Sequence, residues 1–406
     1  MIVRFLKQSS IWPWLLIGAV LLIVFQLFCF HEWALADERF HLRMIDAILN
    51  GASKLPTNVS VFPTYHAIMA VILSIFEQPT LPLARLVSFC VSGAAPFLFV
   101  GLCNQIGQQN DYLRWFQFLF IPIILPFYPL VYMDIWALIP VLIALERFYA
   151  GKQLIACFIM TAGLALRQTN LFWVWFLCWL FFYQAYHGDN LKTAVIDTIK
   201  KTWPCWLGMA VFAGVILVNG SVAVGDKSNQ GIAFDLTQVY FFLIVCFLLF
   251  LPLHLAQVPQ ILKLLKEQQW ILWILPVAVV FFFTTFKANH PYNSPEASYF
   301  VRNRLLHWIQ YNYLTKGVTF IVLYWSILTF TTIKLRRPEF YGLYPMTILA
   351  LLPMPLIEPR YYMIPLALIG LFREKLKTSL EIGLLVYWVI LSALVITMIK
   401  FGWGFL

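Results

Sequence analysis

Two acids stand side by side in the stretch HEWALADERFH, His31 to His41, directly after an apolar run. Asp37, Glu38 and His41 are residue types that take a proton from a hydroxyl, and another acid, Asp134, emerges from a different apolar run in VYMD. A carboxylate within hydrogen-bond reach of an acceptor hydroxyl serves as a general base. Neighbouring helical residues point about 100° apart whereas i and i+4 share a face, so Asp37 lies on the face of His41 and is the preferred base. Cations accompany these acids. LALRQTN sets Arg167 at the end of an apolar run, followed by the donors Gln168, Thr169 and Asn170. VNGSVAVGDKSNQG combines glycines with Asp226 and Lys227, and LIEPRYYMIP places Glu358 and Arg360 just before another apolar run. Each has a plainer reading: wet interfacial charges at 37 and 38, a snorkelling arginine at 167, a helix cap at Thr169 or Asn170, an ordinary glycine-containing loop, and an ion pair between Glu358 and Arg360.

The elements that must position these groups follow from composition. With 406 residues, 62% hydrophobic, 17% aromatic and only 11% charged, the chain is too apolar for a soluble globule and reads as a multispan membrane protein. Apolar runs of roughly 16 to 22 residues suit helices crossing about 30 Å of hydrocarbon, and they lack the alternation of barrel strands. The expected class is all-α, one membrane domain over residues 1–406 with no soluble appendage. Cysteines 29, 90, 103, 157, 178, 205 and 246 lie in or beside apolar runs without CxxC or Cys/His spacing, so neither a metal site nor a disulfide framework is expected. The net charge of +10 comes without a basic tail or an aromatic-basic sheet pattern. Membrane lipids and phosphate-bearing substrates are the expected partners, and nucleic acid is not.

Arg4, Lys7, the run Trp12 to Phe30 and the ALA at 34–36 imitate a signal peptide with its cleavage site. The run is longer than the usual apolar core of such a leader, so a retained first span is expected. If the basic start is cytosolic, runs near 82–103, 114–132, 135–150, 153–167, 171–186, 203–219, 238–253, 270–286, 313–333, 340–357, 361–372 and 379–399 complete about thirteen spans. The short basic loops ERFYAGK, HGDNLKTAVIDTIKK, KLLKEQQ, KLRRPEF and REKLK then face the cytosol, as the positive-inside rule asks. The piece 63–76 breaks this parity and is short, so it is expected at the interface, after a helix over 37–49. The external side receives Arg39, Arg43, Lys54, Arg85, Arg167, Lys227, Lys287, Arg302, Arg304 and Arg360. Positive charge on the disfavoured side calls for a bound anion, with phosphate the leading candidate.

DERFH, VYMD, LRQTNLFW, VNGSVAVGDKS, HPY followed by YFV, and LIEPRYYMIP occur in this order between residues 36 and 366. In order and content these blocks resemble the eukaryotic dolichyl-phosphate-glucose α-1,2-glucosyltransferase family, multispan enzymes of the GT-C class that add the terminal glucose to the lipid-linked oligosaccharide. RQTN and the block around Gly225 and Asp226 carry most of the resemblance. The chain departs from the family pattern in its first loop, where PTYH (63–66) stands for PGLY, after HPY, where NSPEAS (293–298) stands, and at Gln230, where a histidine is expected. These departures suggest a bacterial relative with a different acceptor.

The resemblance implies an inverting transfer of glucose from a β-linked polyprenyl (dolichyl)-phosphate donor to a glycan hydroxyl, with no cofactor and no metal required. It implies Asp37 as base, with Glu38 as the neighbouring alternative, and His41 and Asp134 in acceptor or supporting roles. Arg167, Lys227, Arg302 and Arg360 become candidates for the donor phosphate, with Gln168, Asn170, Asp226, His290 and Glu358 as further site residues. The implied home is the endoplasmic-reticulum membrane in a eukaryote or the plasma membrane in a bacterium, with chemistry on the lumenal or periplasmic side. Two rival readings are a silent binder of lipid-linked sugar and a transporter or flippase; the latter calls for mid-span charges and symmetry between halves.

Overall fold

A computed structural model describes residues 11–29, 31, 33–76, 80–186, 188, 190–224 and 233–406. Among the described residues the protein is helical without strands, and its only extended pairings are isolated bridges, Phe300 with Phe405 and Leu335 with Arg373. Trp12–Cys29, Leu81–Gln105, Tyr313–Thr332 and Thr378–Lys400 are each long and apolar enough to cross a membrane. The pair Leu191–Lys201 and Trp203–Asn219, bent by 71°, brings the number to five if it is one span. This is a multi-pass helical membrane protein. It divides into two compact units, Met1–Lys227 and Ser228–Leu406.

In the first unit the loop after the first span folds into two short helices, Glu38–Leu49 and Thr64–Leu73. Ile45 from one and Met69, Ala70 and Leu73 from the other share an apolar core with Ala84, Val131 and Trp136. That core anchors Asp37 and Glu38 at the start of the first short helix. Helix Asp134–Tyr149 is almost wholly buried, and Gln153–Leu166 packs on it where Gly163 removes a side chain. A Cβ there would stand 2.9 Å from Asn170 Nδ2 and 3.1 Å from Pro140 Cγ, closer than atoms pack.

The expected span over 114–132 is not one continuous helix. Tyr112–Leu119 has only 8 residues, and the chain then runs irregularly, apart from a single 3-10 turn at Leu125–Phe127, to Asp134. Pro122, Pro126 and Pro129 give the reason, because each lacks an N–H and its ring collides with the carbonyl four residues back. Irregular chain at membrane depth must find partners inside the protein. Residues 121–138 are all buried, the Leu130 carbonyl accepts from Ser88 Oγ at 2.7 Å, and the Val131 N–H donates to Glu38 Oε1 at 2.9 Å.

The second unit is built on Thr237–Leu249, Tyr313–Thr332 and Thr378–Lys400. Polar tips join these helices and the short helix Leu251–Ala256: Ser326 Oγ donates to the Leu243 carbonyl at 3.1 Å, His254 Nδ1 meets Thr329 Oγ1 at 2.7 Å, and Trp388 Nε1 donates to the Leu249 carbonyl at 2.6 Å. The expected span over 340–357 is α-helical only as Leu343–Leu351, after the 3-10 turn Pro338–Gly342. Pro353, Pro355 and Pro359 follow, and other elements satisfy the backbone they interrupt. Asn293 Nδ2 donates to the Pro355 carbonyl at 3.1 Å, Asn293 Oδ1 accepts from the Ile357 N–H at 3.2 Å, and Gln238 Nε2 donates to the Leu356 carbonyl at 3.0 Å.

Candidate active site

The turn that delivers Asp37 is built from its neighbours. Ala36 adopts a left-handed backbone (φ +48°), which costs a non-glycine residue on the order of 1–2 kcal/mol and persists only where surroundings enforce it. The Leu35 carbonyl accepts from the Glu38 N–H at 3.0 Å and from Tyr132 Oη at 3.2 Å, while the Leu35 N–H donates to Glu38 Oε2 at 2.8 Å. The Asp37 N–H donates to Tyr132 Oη at 2.8 Å. Asp37 therefore sits, half-buried, at the start of helix Glu38–Leu49 on a turn clamped by Tyr132.

Glu38 is placed very differently from its neighbour. Its side chain is 0% exposed and accepts from Arg85 Nε at 3.1 Å and Nη2 at 2.6 Å, besides the N–H groups of Leu35 and Val131. Those bonds occupy about four acceptor positions, the capacity of a carboxylate. Arg85 is equally committed. Its remaining N–H groups go to the carbonyls of Phe28 (2.7 Å), His31 (2.9 Å) and Trp33 (3.1 Å). The anion that Arg85 was expected to hold is Glu38, not a phosphate, because the internal carboxylate matches the guanidinium fork bidentately.

His41 faces inward from the same helix. It is buried, and its Nδ1 lies 2.9 Å from Nε2 of His66, with the rings stacked at a 5.2 Å centroid distance. Tyr65 and Tyr132 stand edge-on to it at 6.0 and 5.3 Å. Burial, and to a smaller extent His41, push the His66 imidazole far below the ordinary histidine range, to about 2, so it is neutral.

Asp134, in the first turn of its helix, forms an ion pair with Arg167 Nη1, and both are largely buried. Arg167 occupies an extended position between helix Gln153–Leu166 and the 3-10 turn Gln168–Asn170. RQTN is a structural knot as much as a row of donors. Gln168 Nε2 donates to the Ser60 and Val222 carbonyls at 3.2 and 3.4 Å, and Asn170 Nδ2 donates to those of Ala137 and Gly163 at 3.0 Å each. Asn170 stands at the cap of helix Leu171–Ala185 but makes no side-chain cap bond. Its amide is drawn instead to the two carbonyls beside the Gly163 crossing.

In the second unit Glu358 bridges two arginines, Arg302 through Nη2 and Arg360 through Nε, the latter at 2.6 Å. Arg302 also donates from Nη1 to the Leu406 oxygen at 2.9 Å and lies 4.0 Å over the Phe300 ring, while its buried Nε has no partner. Two guanidiniums thus converge on one buried carboxylate. His290 is elsewhere on the loop, accepting the Tyr292 N–H on Nδ1 at 3.2 Å. Asp226 and Lys227 lie outside the described residues. Among the described residues no group of three or more His, Cys, Asp or Glu side chains is placed to hold a metal ion.

The first unit thus gathers Asp37, Glu38, His41, Asp134 and Arg167 around Tyr132 and the irregular chain before Asp134; the second gathers Arg302, Glu358 and Arg360. Tyr132 and His66 were not among the expected site residues, and Arg85 was expected only as one of the external cations. Tyr132 was the readable one, two residues before Asp134 within VYMD.

The sequence profile of the DIE2/ALG10 family matches residues 37–196 and 181–371. The chain is 23% identical over 298 residues to the Dol-P-Glc:Glc(2)Man(9)GlcNAc(2)-PP-Dol alpha-1,2-glucosyltransferase of Candida albicans, a match spanning 68% of this chain and 65% of that protein. Proteins of the same name from Debaryomyces hansenii and Arabidopsis thaliana are 22% identical over 394 residues and 29% over 225, spanning 83% and 43% of their own lengths. No solved structure matches the chain.

Proposed function

This chain belongs to the DIE2/ALG10 family, and on that premise we propose that it is an inverting glucosyltransferase. Its donor is a polyprenyl (dolichyl)-phosphate-glucose with a β-linked sugar, and its acceptor is a hydroxyl of a lipid-linked glycan, glucosylated in α-1,2 linkage. The names of its relatives support this choice of donor and linkage. The architecture that goes with it is of GT-C type. About thirteen spans carry the two short helices of the first loop along the external interface, and the chemistry lies on the lumenal or, in a bacterium, periplasmic side.

The observation that carries the residue assignment is the contrast between the adjacent acids. Glu38 is enclosed and fully bonded, whereas Asp37 is half-buried on a clamped turn. Asp37 takes the proton of the acceptor hydroxyl, and the acceptor oxygen attacks the anomeric carbon from the face opposite the phosphate. The carbon–phosphate-oxygen bond breaks with its electron pair going to the phosphate, and the configuration inverts. Glu38 holds the turn, while His41 and Asp134 support the acceptor side. Arg167 stabilises charge arriving on the phosphate, with Lys227 a further candidate by sequence. In the second unit Arg302 and Arg360 are the further candidates for the phosphate. The leaving phosphate has a low proton affinity, so the reaction as drawn uses no general acid and no cofactor.

The test is direct. Purified protein in lipid nanodiscs is given radiolabelled polyprenyl-phosphate glucose and a glucose-terminated lipid-linked oligosaccharide. Release of polyprenyl phosphate with a new α-1,2-linked glucose is the expected result. Tight donor binding without transfer to any acceptor supports a silent binder instead, and movement of intact donor between leaflets supports a flippase.

A further inference from the structure

The imidazoles of His41 and His66 share one hydrogen bond, and only one of the two nitrogens can carry its proton. Nε2 of His66 faces Nδ1 of His41 at 2.9 Å, and the other nitrogen of His66, Nδ1, is buried without any hydrogen-bond partner. That asymmetry decides the tautomer. If His41 Nδ1–H were the donor, neutral His66 would have to carry its proton on Nδ1. An N–H would then be enclosed with nothing to accept it, which is more costly than a bare ring lone pair. A doubly protonated His66 is excluded by its complete burial between the Tyr65 and His41 rings, with no carboxylate bonded to it.

We propose that His66 is a positioning residue that donates from Nε2–H to His41 Nδ1 and thereby fixes His41 as its Nε2–H tautomer. His41 then offers the site a hydrogen-bond donor and holds no ring lone pair open to accept a proton there, because its Nδ1 pair is engaged by His66. The consequence for chemistry rests on the glucosyl-transfer reading: His41 orients an oxygen of the acceptor or sugar, and proton removal falls to Asp37 four residues earlier. The tautomer itself does not depend on that reading.

Full-length protein in nanodiscs, labelled with 15N-histidine, reports it, with His41 and His66 resonances assigned by their loss in His41→Gln and His66→Gln. The expected spectrum has His41 protonated at Nε2 and bare at Nδ1, with His66 protonated at Nε2. A His41 proton on Nδ1 overturns the proposal outright. His66→Phe keeps a ring but removes the donor, and should release His41 into a mixture of tautomers and lower kcat about tenfold, the scale of one lost hydrogen bond. His66→Gln carries an amide N–H in the place of Nε2 and should restore both the tautomer and most of the turnover. Equal losses in Phe and Gln variants with an unchanged His41 tautomer refute the positioning role. If the Phe variant does not fold, the tautomers in the parent and the Gln variant decide. Absence of glucosyl transfer in the parent, with the expected tautomer present, removes the functional reading and leaves the His66–His41 relationship standing.

Discussion

Glu38 and Arg85, 47 residues apart, close on each other through two parallel hydrogen bonds of 3.1 and 2.6 Å with both side chains fully enclosed. Every remaining donor and acceptor of the pair is taken by the backbone of Phe28, His31, Trp33, Leu35 and Val131. The pair therefore ties the exit of the first span, the first short helix, helix Leu81–Ser92 and the chain before Asp134 at a single point, one residue from Asp37.

Removing one partner strands the other charge in a dry site. Glu38→Gln or Arg85→Met should each destabilise the protein by about 3–5 kcal/mol, as breaking a buried ion pair typically does. The double variant should lose less than the sum of the two. Thermal unfolding in nanodiscs measures it; additive losses, or a Glu38→Gln protein as stable as the parent, contradict a structural role for Glu38.

The Asp134–Arg167 pair needs a different design, because Arg167 is assigned both to an ion pair and to the donor phosphate. Arg167→Gln alone confounds the two by removing the ion pair of the buried Asp134. Asp134→Asn combined with Arg167→Gln removes both charges and should recover much of the stability. Donor affinity should nonetheless remain about 10- to 100-fold weaker, the worth of a lost charge-assisted hydrogen bond. Full recovery of donor binding in the double variant returns Arg167 to a purely structural role.

How much of this was readable follows from how local each signal is. Helix Glu38–Leu49 lies almost as expected from residues 37–49, and Trp203–Asn219 coincides with the run 203–219, because apolar periodicity is written in consecutive residues. The Glu358–Arg360 pair, two residues apart, was readable as a pair, but the long-range ion pairs were not. Arg85 with Glu38 and Arg302 with Glu358 join distant segments, and sequence records only that a cation on the external side needs an anion. It does not say whether the anion is a carboxylate of the same chain. The irregular stretch after Leu119 was within reach, since three prolines in eight residues, 122 to 129, forbid a regular helix there. His66 could not be found, since a histidine beside an apolar run gives no sign of a second imidazole 25 residues away.

The same irregular stretch bears on topology. Lys54 and Lys152 are both exposed in the first unit; three crossings between them, by 82–103, 114–132 and 135–150, are the expectation from the sequence, and that expectation puts the two lysines on opposite sides of the membrane. A helix of 8 residues spans about 12 Å, so the remaining depth has to be covered by the buried chain up to Asp134. Lys54→Cys should react with a membrane-impermeant maleimide from the external side, and Lys152→Cys only after permeabilisation. Labelling of both from one side makes 114–132 re-entrant and moves the later loops across the membrane.

His66 also sets a pH dependence. Its neutral form is favoured in the fold, where burial and His41 hold its pKa down to about 2, whereas an unfolded histidine titrates near 6.5. Between those values the unfolded chain binds the extra proton, so this contribution is fully present above about pH 6.5 and is lost as pH falls. The slope from this one group approaches about 1.4 kcal/mol per pH unit. Tyr65 and His41 border it, and neither is a carboxylate that could offset the charge. Stability measured from pH 7.5 to 5 should fall less steeply in His66→Gln than in the parent. Parallel curves refute the assignment.

Asp37 is the residue on which the proposed chemistry turns, and its position allows a clean substitution. Asp37→Asn keeps size and shape, and the turn it occupies is held by the Leu35 and Asp37 backbone and Tyr132 rather than by a cap bond from the Asp37 side chain. Folding and donor affinity should therefore stay near the parent's. Turnover should fall by about the 10²- to 10⁴-fold that general-base assistance supplies, because an amide cannot take the acceptor proton. Glu38→Gln is expected to fail in the opposite sense, by losing stability as its buried arginine is stranded. Single-turnover glucosyl transfer with donor-saturated enzyme, alongside unfolding curves, separates the two. Near-parental turnover in Asp37→Asn removes it as the base, and a stable Glu38→Gln protein that binds donor but does not transfer moves the base one residue along.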